Sequence, residues 1–265
     1  MVSRSYLKDV YINKDIDFLI STYIREYDMR KANISILLSK GLISQSEYDY
    51  YASLKDRSIV IGKLQRDNEV IKKELNNGFK EYRQMFFEAN GIQDEEVLAI
   101  RKDAIFVISK EPRYTTFDKV EFVCKNIYTS FYRIFRYEYY YFCDRVRMLE
   151  NFDVKGISDQ ILPVHENYFI ELLKCVFEAA ELNILDAVQI LSNFLNEYMN
   201  FRVEPGFYRE FNDSSLFRIN SPFYMNYGLQ ELYSFDPNIM DISYNRRIME
   251  MILSYYMRIL TNKGI

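Results

Sequence analysis

The stretch Val97-Leu-Ala-Ile-Arg-Lys-Asp103-Ala-Ile-Phe-Val-Ile108 holds two short apolar runs joined by the polar residues Arg101, Lys102 and Asp103. Runs of this length linked by a tight polar turn predict a β-hairpin with Asp103 at its tip. Upstream, Asp17-Phe-Leu-Ile-Ser-Thr-Tyr-Ile-Arg-Glu-Tyr-Asp28 is rich in aromatic and β-branched residues and reads as a strand ending in a carboxylate. Helix fills the interval between them. Ala32, Ile36 and Leu37 share one side of a first helix that Gly41 stops, and Ser44-Gln-Ser-Glu47 has capping-box spacing for a second, running to about Leu54. Residues 58–90 read as two helical pieces. In the second, Ile71, Leu75, Phe79, Tyr82 and Phe86 recur at steps of three or four as one apolar stripe, and Asn90-Gly91 ends it.

Downstream of the hairpin, residues 120–134 and 137–142 are so dense in Phe and Tyr that sheet is favoured over helix. Residues 127–142 should bury one aromatic face under later helices. From His165 the period turns helical, with Tyr168, Leu172, Cys175, Val176 and Ala179 on one face and Val188, Leu191, Leu195 and Met199 on another. Pro205-Gly206, Pro222 and Pro237 mark 204–240 as irregular, and a last helix should run from Tyr244 to about Leu260. The fold class expected is α+β: a mixed module of about 145 residues, then a helical module.

Composition bounds the function. The chain has 265 residues, 49% hydrophobic and 27% charged, with only 8 Gly and 5 Pro, which excludes collagenous and wholly disordered classes. No apolar run approaches the ~18 residues of a membrane span, and charges at Arg4, Lys8, Asp9, Lys14, Asp15 and Asp17 argue against a signal peptide. Cys124, Cys143 and Cys175 lack metal-ligand spacing and read as buried thiols, and His165, the one His, reads as a cap or surface residue. A reduced cytoplasm, that of a bacterial or phage-infected cell, is the expected setting. Net charge is −4, yet residues 1–150 carry 25 Lys and Arg against 23 Asp and Glu, while 151–265 carry 9 against 15. An anionic partner should therefore bind the first part. Gly-rich phosphate loops, nucleophile elbows and zinc patterns are missing.

The order strand–Asp28, helical insertion, hairpin–Asp103 resembles the palm of template-directed polymerases, most closely the family B DNA polymerases. The family's first palm motif, Asp-x-x-Ser-Leu-Tyr-Pro-Ser-Ile after a strand, is met by Asp28-Met-Arg-Lys-Ala-Asn33-Ile-Ser35-Ile36. Its second, Tyr-Gly-Asp-Thr-Asp-Ser-Ile-Phe-Val, is met by Ala99-Ile-Arg101-Lys102-Asp103-Ala104-Ile105-Phe106-Val107. The helix Lys80-Glu-Tyr-Arg-Gln-Met-Phe-Phe-Glu-Ala-Asn-Gly91 is similar to the one preceding that hairpin, and Lys125-Asn-Ile-Tyr128 is similar to the family's basic strand that holds primer–template duplex. Departures are clear: Arg101 replaces the first Asp of Asp-Thr-Asp, Asn33 replaces the Tyr under the sugar, and Ser-Leu-Tyr-Pro is gone.

The resemblance implies a minimal, degenerate member: residues 1–150 a palm-like domain with an antiparallel sheet, about 41–90 a short helical fingers insertion, and 151–265 a thumb-like module. With 27 residues ahead of Asp28, no exonuclease domain is expected. It further implies template-directed nucleotidyl transfer by a polymerase or primase-like enzyme. Asp28 and Asp103 would bind Mg²⁺ or Mn²⁺, since hard cations at phosphoryl-transfer sites use one or two carboxylates plus substrate phosphates. Lys63, with Arg57 or Arg66, would neutralise the triphosphate, Asn33 would lie beneath the sugar, and Lys125 and Tyr128 would contact nucleic acid. The partners implied are primer–template or single-stranded nucleic acid and nucleoside triphosphates, with no membrane. Two other classes stay open on the residues: a non-catalytic phage or bacterial protein that binds nucleic acid or a protein partner, and a structural assembly subunit using the aromatic sheet face.

Overall fold

A computed structural model describes residues 5–134, 137–156, 170–200 and Arg202. The expected cap at His165, the helical position Tyr168, the irregular 204–240 and the helix 244–260 lie outside the described residues, as do the side chains of Leu195 and Met199. The chain divides into two compact units: Met1–Ile16 with Thr22–Tyr128, and Asp17–Ser21 with Thr129–Ile265. Both hold sheet and helix, so the fold is α+β. The division falls at Tyr128–Thr129, not near residue 150, and the second unit contains strands as well as helices.

In the first unit the strands are β1 (Val10–Ile12), β3 (Ile24–Met29), β4 (Val97–Arg101), β5 (Ala104–Ile108), β6 (Thr116–Phe117) and β7 (Val120–Tyr128), while β2 (Phe18–Leu19) belongs to the second. The six form an antiparallel sheet in the order β1-β4-β5-β3-β7-β6. The expected strand 17–28 is thus two pieces, broken where Ser21 takes a left-handed φ of 53°. Four helices separate β3 from β4: α1 (Ala32–Ser39), α2 (Gln45–Ser53), α3 (Arg57–Asp67) and α4 (Glu69–Asn90). The sequence signals explain their limits. Gly41 follows α1 at φ 66°, Ser44 and Glu47 cap α2 reciprocally, Asn68 caps α4, and Gly91 closes it at φ 59°.

One face of this sheet is buried under helix. Strand alternation puts Tyr27 and Met29 of β3 on the same side as Ile105, Val107, Val120 and Phe122, against Ile36 and Leu37 of α1 and the α4 stripe Ile71, Leu75, Phe79, Tyr82 and Phe86. Phe86 stacks on Phe122 with ring centroids 4.4 Å apart. Glu26 and Asp28, two residues apart on β3, therefore sit on the opposite face.

The second unit pairs β2 with β8 (Ser130–Ile134), β9 (Tyr137–Asp144) and β10 (Leu149–Lys155) in the order β10-β9-β8-β2. Tyr132, Tyr139 and Tyr141 are buried with Leu173, Val176, Phe177 and Ala180 of α5 (Glu171–Leu182) and Ala187, Val188 and Leu191 of α6 (Ile184–Met199). Tyr141 stacks on Phe177 at 5.5 Å and donates to Glu178 Oε1 at 3.0 Å. The aromatic strands and their helical cover are as the sequence implies, but α5 is rotated by one residue from the expected face. Its inward positions are 173, 176, 177 and 180, which leaves Cys175 exposed. Cys124 is also exposed and Cys143 half-buried, so none of the three is the buried thiol expected.

Gly78 shows how closely α1 and α4 approach. A Cβ there would collide with Cγ2 of Ile36, a branched, fully buried side chain. Alanine ordinarily favours mid-helix over glycine by about 1 kcal/mol, whereas overpacking costs about 1–3 kcal/mol. Gly78→Ala is expected to lower stability by about 1 kcal/mol in urea unfolding, and by less in an Ile36→Ala background. An additive double-mutant cycle would show that the contact is not what excludes a side chain.

Candidate functional site: a carboxylate pair at adjacent strand ends

The β3–β5 register fixes the site. Ile24 faces Ile108, Glu26 faces Phe106 and Asp28 faces Ala104, so Asp28 lies beside the hairpin tip where Asp103 precedes Ala104. The Met29 N–H donates to the Asp103 carbonyl at 3.2 Å, extending the ladder past the strand end. Both carboxyl-bearing residues are half-buried. Burial first, and then the charge of Asp103, push the Asp28 pKa up, while Lys125 on β7 opposes them and Glu26 adds to the rise. Asp28, Asp103 and Lys125 therefore share one electrostatic neighbourhood.

Lys102 and Asp103 form the two-residue connection of the hairpin, and Lys102 has a left-handed φ of 56°. Its N–H donates to the Asp9 carbonyl at 2.7 Å, and its ammonium lies 4.9 Å from the Phe79 ring centre. Beneath it is Arg83 of α4, fully buried, which donates to the carbonyls of Lys102 and Tyr6 and pairs with Asp9. Arg83 was not singled out from sequence. The signal was there: Leu75, Phe79, Arg83 and Phe87 form an i, i+4 row, all buried, with one charge among three apolar residues.

Other expected site residues divide. Asn33 lies in the first turn of α1, half-buried, and its Oδ1 is shielded from solvent with no hydrogen-bond partner. Lys125 is exposed on β7. Lys63 and Arg66 are exposed on α3 and Arg57 is half-buried there; Arg66 pairs with Asp67 at 3.5 Å. Among the described residues, no hydrogen bond or ion pair joins these three to Asp28 or Asp103. Tyr128, expected to contact nucleic acid, faces the interior instead. It is 0% exposed in the sheet, its hydroxyl donating to Glu26 Oε2 at 3.1 Å, so its ring cannot stack on a base. Glu26 is also held by Asn126 Nδ2 at 2.6 Å.

Two unlike roles are compatible with such a pair: a metal site, or mutually repelling carboxylates with no ligand. Among the described residues no group of three or more His, Cys, Asp or Glu is arranged for a metal. Asp28 and Asp103 carry two hard oxygen donors on backbone held by sheet hydrogen bonds, and carboxylates of this kind can share a hard divalent cation with other oxygen ligands. Among the described residues no helix is long and apolar enough to cross a membrane.

A family model described as Bacteriophage PBS1 gene 130 protein matches residues 1–259. No curated protein matches the chain.

A carboxyl whose pKa is higher in the folded than in the unfolded chain favours folding in its protonated form. That contribution is present at low pH and is lost as pH rises from the ordinary Asp range through the raised value. Asp28→Asn, which cannot ionise, is therefore expected to raise the Tm near pH 7 and to change it little near about pH 3. A lower Tm near pH 7 would contradict the raised pKa of Asp28.

Proposed function

The chain belongs to the Bacteriophage PBS1 gene 130 protein family, and from its strand-end carboxylates we propose that it is a metal-dependent nucleotidyltransferase on a palm-like sheet. The observation that carries this reading is the Asp28–Ala104 register with the Met29-to-Asp103 hydrogen bond, which brings two carboxylates to adjacent strand ends. The strand order β4-β5-β3-β7, with the hairpin beside the first Asp strand, supports the resemblance read from the motifs.

In this reading a nucleic-acid 3′-hydroxyl attacks the α-phosphate of a nucleoside triphosphate. A P–O bond forms to the 3′-oxygen, the bond to pyrophosphate breaks, and the hydroxyl proton leaves to solvent. Asp28 and Asp103 would hold Mg²⁺ or Mn²⁺, and the ion would supply the positive charge that lowers the hydroxyl's pKa and offsets charge on the leaving oxygen. Lys125 balances the acidic pair and is placed to meet backbone phosphate. Lys63, Arg57 and Arg66 of α3 serve the triphosphate, as the fingers helix of the resemblance implies. The reaction takes place in the cytoplasm of the infected cell. The aromatic face of β8 and β9, which an assembly subunit would use as an interface, is covered by α5 and α6.

Primer extension with Mn²⁺ or Mg²⁺ tests the reading. Wild type is expected to extend a primed template, and Asp28→Asn and Asp103→Asn to fall to background while remaining folded. Activity retained in either variant would sink the assignment.

Asn33 yields a second expectation. It occupies the motif position that the resemblance assigns to the residue beneath the sugar, its amide oxygen is buried and unpartnered, and an amide can donate to or accept from a hydroxyl. Ribonucleotides should be incorporated by wild type, and Asn33→Tyr should shift use towards deoxyribonucleotides. Strict deoxyribonucleotide use by wild type would contradict this.

A further inference from the structure

The residue before Asp103 is exposed, yet its backbone is held on both sides of the peptide. Lys102 takes a left-handed φ of 56°, a region costly for a residue with a Cβ, and such conformations persist where surrounding structure over-determines them. Four contacts do so here. Its N–H donates to the Asp9 carbonyl at 2.7 Å, its carbonyl accepts from Arg83 Nη1, its ammonium lies over Phe79, and β4–β5 pairing closes through Arg101 and Ala104.

Arg83 joins these parts. Its Nε donates to the Tyr6 carbonyl at 2.9 Å, Nη1 to Lys102, and Nη2 reaches Asp9 Oδ1 at 3.3 Å. Asp9 is 55% exposed while Arg83 is 0% exposed, so the ion pair does little to explain burying the charge. The planar fork explains it better, because three acceptors on two segments are met in one fixed geometry. β1, following Asp9, pairs with β4 and ties the same N-terminal segment to the hairpin.

We propose that Arg83 is a positioning residue for Asp103: its guanidinium locks the Lys102 carbonyl against the N-terminal segment and fixes the turn that presents the Asp103 carboxylate. This rests on the reading of Asp103 as a metal ligand. Arg83 touches neither metal nor substrate; it acts through the backbone one residue away. Supporting residues of this kind typically contribute about 10- to 100-fold to metal affinity.

The test is Mn²⁺ titration followed by electron paramagnetic resonance, on the whole chain, at a temperature where each variant is folded. Arg83→Lys keeps the charge but loses the fork, and is expected to weaken Mn²⁺ binding by about 10-fold or more. Ile71→Ala, destabilising on the same helix but about 18 Å along it from Arg83, is expected to keep wild-type affinity. A merely structural Arg83 would lower stability in both variants and shift affinity in neither. Should Arg83→Lys fail to fold in buffer, wild type and variant are titrated together in sucrose, an osmolyte that favours the folded state: a several-fold weaker affinity in the variant supports the proposal and an equal one overturns it. Wild type that binds Mn²⁺ together with an Arg83→Lys variant that binds equally well overturns the positioning role alone. Wild type that binds no Mn²⁺ overturns the metal-site reading on which the proposal rests.

Discussion

The antiparallel pairing of β3 with β5 is the constraint on which the rest depends. Side chains alternate strictly along a strand, so slipping this register by one residue would send Asp28 into the apolar layer and Tyr27 out of it. The Tyr27–Phe86 contact, with ring centroids 5.3 Å apart, and the burial of Met29 hold the register by packing. The Met29-to-Asp103 hydrogen bond carries it to the strand end. The register that stabilises the sheet thus brings Asp28 beside the hairpin tip, where burial first, and then the charge of Asp103, raise its pKa. A cation between them would relieve that cost.

The long α4 serves two purposes at once. Its stripe Ile71, Leu75, Phe79, Tyr82 and Phe86 covers the sheet, and Gly78 lets α1 come close. Its adjacent row carries Arg83 under the hairpin. An apolar residue at 83 would pack more simply but would leave the Lys102 and Tyr6 carbonyls without their donor, a substantial penalty for buried acceptors. Fold and candidate site are therefore coupled through one helix.

Much of this was legible in the sequence because it follows from local periodicity. Capping at Ser44–Glu47, the stop at Gly91, the α4 stripe and the 97–108 hairpin are short-range signals, and all four appear. The pairing of β3 with β5 was inferred only through motif order, since no local pattern specifies which strands meet. What escaped was set by tertiary context. β1 has three residues and β10 reads as polar as a loop, so neither has a periodic signal. In α5, Cys175 and Phe177 compete for the inward face, and the larger Phe177 wins by stacking on Tyr141. Tyr128 reads as a free aromatic near Lys125, but its partner in the sheet is the buried Ile24, and its hydroxyl meets Glu26 inside. Asp28 and Asp103 were visible as residue types; Arg83, which acts through backbone carbonyls, carried only the weak signal of a charge in an apolar row.

The central claim is that Asp28 and Asp103 jointly hold a divalent cation. The most direct measurement is an anomalous-difference map from crystals of the protein grown with Mn²⁺ and a nucleoside triphosphate. The account expects a peak bridging the two carboxyl groups, at coordination distance from an oxygen of each, about 2.0–2.2 Å. Saturating Mn²⁺ that leaves the space between Asp28 and Asp103 without anomalous signal would contradict it.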